Sequence, residues 1–169
     1  MRLCSIVLFS VLALFAKDIT WETDKFLGEP FKMHEFEAEN FHATLVGYPF
    51  DSVKDSVSSR VPKAAVLYIH GFNDYFFQQE LAQQVDSAGY SFFAIDLHKY
   101  GRSYRSGETI GELRDISEYY AEIDSAISMI REAEGDSVPF VLMGHSTGGL
   151  IACLYAADRR NGEGIAAIV

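Results

Sequence analysis

The chain has 169 residues, 49% of them hydrophobic, with 24 acidic against 14 basic side chains and a formal charge of −10. That length suits one domain with a real core, and that charge excludes a general nucleic-acid binder, whose phosphate contacts need a basic face. Two cysteines, Cys4 and Cys153, give neither a disulfide framework nor metal-ligand spacing, so no metal or cofactor is expected.

In chain order, Met1-Arg2 leads into the apolar run Leu3–Ala16, followed by Lys17-Asp18. The run is short for a membrane span and fits a secretory leader. It predicts an extracytoplasmic protein with residues 17–169 as its domain; a short anchor or a cytoplasmic product with a wrongly extended start are the alternatives. Asp18–Pro30 reads as an irregular arm. Phe31–Glu37 and Phe41–Tyr48 alternate around Glu39-Asn40, which predicts a half-solvated antiparallel hairpin with His34 and His42 on the surface. Asp51–Pro62 is a surface loop.

From there the pattern changes. Ala64–Ile69, Ser91–Ile95 and Phe140–Met143 are continuous apolar runs, as buried parallel strands require. Between them, Tyr75–Ala88 predicts a helix with Phe77, Leu81 and Val85 inward and Gly89 ending it. A second helix carries Ile116, Tyr120, Ile123, Ile127 and Ile130 on one face up to Gly135. Asp96–Glu112 is a polar loop in which Lys99, Arg102 and Arg105 form a small basic cluster. Leu150–Arg159 predicts a third helix with Cys153 buried, and Ile165–Val169 opens a further strand. Strand–helix alternation predicts an α/β fold, a doubly wound, mostly parallel sheet with an N-terminal antiparallel hairpin. Ending within a strand predicts a fragment truncated before the last strands and any cap.

The chemistry concentrates at Gly144-His145-Ser146-Thr147-Gly148-Gly149, set between a buried strand and a helix. Gly-x-Ser-x-Gly in that context marks a nucleophilic serine on a sharp turn. Gly144 and Gly148 supply room where side chains would collide, and Gly149 is expected to let the helix approach the sheet. His145 makes a poor base despite its position, because adjacent side chains point in different directions; a packed histidine is expected. Two more strand ends join this one: His70-Gly71-Phe72-Asn73-Asp74, and Asp96-Leu97-His98-Lys99-Tyr100-Gly101-Arg102-Ser103. His70 and His98 are open between a polar site role and a structural one.

These three elements in this order resemble the α/β-hydrolase family, in particular its monoacylglycerol lipase and lysophospholipase-like branch, over residues 21–169. The resemblance implies that the backbone N–H groups of Phe72 and Thr147 form the oxyanion hole, with the Phe72 ring lining the acyl pocket. It also implies that Asp96 holds loop backbone, and that the loop is less tightly turned because Lys99 replaces a common glycine. In that family the acid and the histidine follow the nucleophile, whereas after Ser146 this chain has only Asp158 and Glu163 as acids and no histidine. The implied activity is hydrolysis of a carboxylic ester such as a monoacylglycerol or lysophospholipid, without cofactor. Phe72, Tyr75, Phe76 and Phe77 suit an acyl chain or core packing. Peripheral membrane contact stays open. Thioesterase, peptidase and perhydrolase chemistry use the same scaffold, and a non-catalytic remnant or ligand-binding module is the rival from another class.

Overall fold

The computed structural model describes residues 19–48, 61–159 and 164–169. The predicted leader and the segment Asp51–Arg60 lie outside the described residues. The strands in chain order are β1 (Glu22–Thr23), β2 (Lys32–Ala38), β3 (Phe41–Tyr48), β4 (Ala65–Ile69), β5 (Ser91–Asp96), β6 (Phe140–Gly144) and β7 (Ile165–Ile168); the helices are α1 (Gln79–Ser87), α2 (Tyr120–Glu134) and α3 (Thr147–Asp158). They build one sheet in the order β1-β2-β3-β5-β4-β6-β7. Pairing is antiparallel from β1 through β3 to β5 and parallel from β5 through β4 and β6 to β7.

Every residue of β4 is buried because both faces of the sheet are covered. Alternation sends Val66 and Tyr68 to the α1 side, against Phe76 and Ala82, and Leu67 and Ile69 to the side of α2 and α3, against Ile123, Ile127 and Ile151. Each large apolar side chain fully buried this way contributes about 1.5–3 kcal/mol. Because β4 has β5 on one side and β6 on the other, the chain switches direction across the sheet there, and the crevice at the strands' carboxyl ends opens at that point. Ile69 is level with Ile95 and Gly144, so the three motif-bearing ends meet at one height.

The hairpin forms with a two-residue connection, Ala38 opposite Phe41 and Glu39 at φ 55. It is not half-solvated throughout: β3 lies inside the sheet between β2 and β5, so Ala43 and Leu45 are fully buried. His34 and His42 are half-buried rather than on the open surface. The first helix is shorter than its periodicity suggests. The Phe76 amide donates to Asp96 and the Phe76 carbonyl accepts from Arg102, so the backbone before Gln79 is engaged elsewhere, and Phe77 is exposed. Gly89 at φ 96 and Gly135 at φ 97 end α1 and α2 as expected. On α3, Ile151, Ala152 and Tyr155 face inward while Leu150 and Leu154 are exposed. Cys153 lies on that outer stripe and is exposed, against the expectation of a buried thiol. Among the described residues no helix is long and apolar enough to cross a membrane.

Candidate active site

Between β6 and α3 the chain turns within His145 and Ser146. Ser146 has φ 54 and ψ −117, a conformation that costs a non-glycine residue about 1–3 kcal/mol. The turn is over-determined by its neighbours: His145 N donates to Ile69 O at 3.0 Å, Gly148 N to His145 O at 2.8 Å, and Gly149 N to Ser146 O at 3.0 Å. These bonds also start α3 at Thr147, three residues before the sequence periodicity would. A Cβ on Gly148 would lie 2.5 Å from His70 O and nearer still to Ile69 O, and one on Gly144 would lie 2.5 Å from the Gly148 carbonyl carbon. Both glycines are therefore sterically required. Gly149 is not: its Cβ would meet Gly144 O at an ordinary 3.5 Å, so the close approach belongs to Gly144. Gly148→Ala is expected to cost about 1–3 kcal/mol by forcing α3 off the β4 end, read as a lower midpoint in thermal unfolding. Gly149→Ala should leave that midpoint nearly unchanged.

The loop after β4 runs against this turn. A Cβ on Gly71 would be 3.4 Å from Ser146 Cβ and 3.1 Å from His145 Nδ1, so Gly71 serves close approach rather than a left-handed turn. Among the described residues no acceptor takes up the Phe72 or Thr147 amide. His70 is buried, donates from Nδ1 to Gly71 O at 2.8 Å and accepts from Leu97 N at Nε2 at 3.2 Å. Those partners fix a neutral tautomer, and burial pushes its pKa below the usual range despite the nearby Asp96 charge. His98 is buried as well, its Nδ1 against Glu122 and its ring stacked on Phe41 at 4.1 Å. Both histidines are structural. His145 is not packed as expected: its side chain is 63% exposed, with Nδ1 3.6 Å from Asp74 Oδ2.

Asp96 is fully buried and holds backbone, as the resemblance implies: Oδ1 accepts from Phe76 N at 2.8 Å, Oδ2 from Arg102 N at 2.9 Å. The sequence gives no hint of what balances it. Arg102, in a 3-10 turn at Gly101–Ser103, is buried; it donates to Asp96 Oδ2 at 2.8 Å and forks onto both oxygens of Asp24 at 2.5 and 2.9 Å. Burial alone would raise the Asp24 carboxyl, but Arg102 and the Leu27 and Phe26 amides outweigh it and hold it below the usual range. The expected basic cluster is thus dispersed, since Arg105 pairs with Glu35 and Lys99 Nζ donates to Glu112 O. Lys99 does not loosen the loop. It takes the left-handed conformation itself, φ 64. Lys99→Gly should hold stability or raise it by up to about 1 kcal/mol, and Lys99→Val should lower it by about 1–2 kcal/mol, in denaturant unfolding.

Beside the turn lies a cavity of about 100 Å³, walled by Phe72, Leu97, Tyr100, Leu113, Ile116, Tyr119, Thr147 and Ile151 with His70 and Gly71. Of the aromatic set, Phe76 is core, Tyr75 and Phe77 are exposed, and Phe72 edges the cavity while itself largely exposed. Leu113 and Tyr119 are cavity walls that the sequence reading missed; the one signal was the apolar spacing of Leu113 and Ile116 just ahead of α2. Among the described residues no cluster of histidine, cysteine and carboxylate side chains could hold a metal ion.

A mostly parallel sheet covered by helices on both faces, with a serine at positive φ between a central strand and its helix, is the arrangement of an α/β-hydrolase. The profile of the serine aminopeptidase S33 family matches residues 60–169, and the chain belongs to that family. It is 33% identical to phospholipase YtpA of Bacillus subtilis over 59% of this chain and 37% of that protein, and 28% identical to the monoglyceride lipase of Saccharomyces cerevisiae over 75% and 40%. The crystal structure of a soluble variant of that yeast lipase superposes with a TM-score of 0.61 at 21% identity, covering 80% of this chain and 42% of the lipase. A thermostable carboxyl esterase from Bacillus coagulans gives 0.66 at 20%, covering 82% and 43%. The chain spans well under half the length of these relatives.

Proposed function

We propose that this chain is the nucleophile-bearing part of a serine hydrolase that cleaves carboxylic esters of the monoacylglycerol or lysophospholipid kind. The observation that carries the reading is Ser146 held at φ 54 beside an apolar cavity and two amides that have no acceptor among the described residues. In this reading Ser146 Oγ attacks the ester carbonyl, and the oxygen that becomes an alkoxide is held by the Phe72 and Thr147 N–H groups. Rigid donors of that kind lower the barrier by about 3–4 kcal/mol each. Collapse expels the alcohol, and water then releases the acyl group from Ser146.

The base comes from the complete protein rather than from these residues. His70 has both ring nitrogens engaged, His98 is buried against Glu122, and His145 faces Asp74. Asp158 accepts from the Tyr120 hydroxyl at the end of α3, far along the helix from the serine. The names of the relatives support a lipid ester as substrate, and a leader at Leu3–Ala16 would place the reaction outside the cytoplasm. A fluorophosphonate probe is expected to label the full-length protein at Ser146, and this 169-residue chain alone should cleave p-nitrophenyl esters no faster than its Ser146→Ala variant. A folded full-length protein that takes no label would favour a ligand-binding module over an enzyme.

A further inference from the structure

Resting on that reading, we propose that His70 is a positioning residue for the oxyanion hole: its ring fixes the direction in which the Phe72 N–H donates, without touching substrate or exchanging a proton. The Gly71 carbonyl and the Phe72 N–H belong to one peptide unit, which is planar and trans, so the two groups point in opposite directions. His70 Nδ1 lies 2.8 Å from Gly71 O. That bond turns the carbonyl towards a histidine only 1% exposed, and so turns the Phe72 N–H the other way, where it has no acceptor among the described residues.

Glycine itself does not select that orientation. Without a Cβ, Gly71 tolerates a wide range of dihedrals. A flipped peptide would present a carbonyl oxygen to the developing alkoxide in place of a donor. The bond from His70 decides between the two.

The ring can make that bond because its tautomer is fixed. Leu97 N donates to Nε2 at 3.2 Å, so Nε2 carries the lone pair and the proton sits on Nδ1. Burial, the largest influence on this ring, keeps it from taking a second proton. Tyr100 packs against it at a steep angle, ring centroids 4.7 Å apart. The result is a chain of donors in which each bond polarises the next: Leu97 N–H to His70, His70 Nδ1–H to Gly71 O, and Phe72 N–H to the oxyanion. The first two bonds are buried, so solvent does not compete for them.

The test compares two variants of the full-length enzyme on p-nitrophenyl butyrate. His70→Leu and His70→Asn both take the acceptor from Leu97 N, but only asparagine places a donor, Nδ2, where Nδ1 stood. We expect His70→Leu to lower kcat about 30–100-fold with KM within about threefold of wild type, since the lost alignment acts on the transition state. His70→Asn should recover kcat to within about fivefold of wild type. In the wild type, nitrogen NMR of the His70 ring should show its proton on Nδ1. Equal losses of kcat in two folded variants, a loss carried by KM alone, or no loss in His70→Leu overturns the proposal, and a Ser146 that still takes the fluorophosphonate label keeps the hydrolase reading intact. Where the variants do not fold, the wild-type ring decides: a proton on Nδ1 supports the proposal, and one on Nε2 leaves Gly71 O without its donor and overturns it. A wild type with neither label nor turnover overturns the hydrolase reading, and this inference with it.

Discussion

Ser146→Ala in the full-length protein will lower kcat/KM for p-nitrophenyl esters by about 10⁴–10⁶-fold, the scale on which serine hydrolases lose rate with their nucleophile. Thermal stability should barely move. Among the described residues the Ser146 hydroxyl makes no hydrogen bond, and alanine meets the same strain at φ 54. Ser146→Gly separates the two effects. It is equally inactive, but it relieves about 1–3 kcal/mol of backbone strain against about 0.5–1 kcal/mol of glycine entropy, so its unfolding midpoint should sit at or above wild type. More than 1% residual turnover in Ser146→Ala would place the nucleophile elsewhere. A marked loss of stability in Ser146→Gly would show that the turn is not strained.

Arg102→Met is expected to destabilise the fold by about 3–5 kcal/mol, because it leaves Asp24 and Asp96 buried without a cation while keeping most of the side-chain volume. The pH dependence gives the sign. In the wild type Asp24 is held below its ordinary pKa, so its contribution is fully present above about pH 4 and lost as pH falls through the depressed value. In the variant, burial without the guanidinium raises the folded-state pKa of Asp24 relative to wild type, so protonation relieves part of the deficit. The deficit measured by urea unfolding should therefore be largest near neutral pH and shrink towards pH 4. A deficit below 1 kcal/mol at pH 7, or one that grows in acid, would contradict the role assigned to the pair.

The strands and the serine turn were legible because they are local: apolar runs of four to six residues, glycines two apart from Ser146, and Gly89 and Gly135 at helix ends. What was not legible depends on partners far along the chain. Arg102 reads as a loop cation until Asp24, 78 residues earlier, folds beneath it. Phe77 fits a helical stripe with Leu81 and Val85, yet the Phe76 backbone bonds to Asp96 and Arg102 and the helix waits until Gln79. Lys99 shows that a glycine position can be met by another residue that accepts the strain. Cys153 reads as inward by residue type, and only the contacts of α3 reveal which side of that apolar helix faces solvent.

The bond between Arg102 and Asp24 has a consequence for where the working unit of this protein begins. The family profile starts at residue 60, but the carboxylate that holds Arg102, whose guanidinium donates to the Phe76 carbonyl, comes from the arm before the hairpin, and Ser103 Oγ reaches Thr44 on β3. A piece cut at the profile's edge would discard half of the fastening that shapes the serine's surroundings. Residues 19–48 thus help hold the surroundings of Ser146 in shape by mechanical necessity, although they lie outside the stretch that the family profile matches.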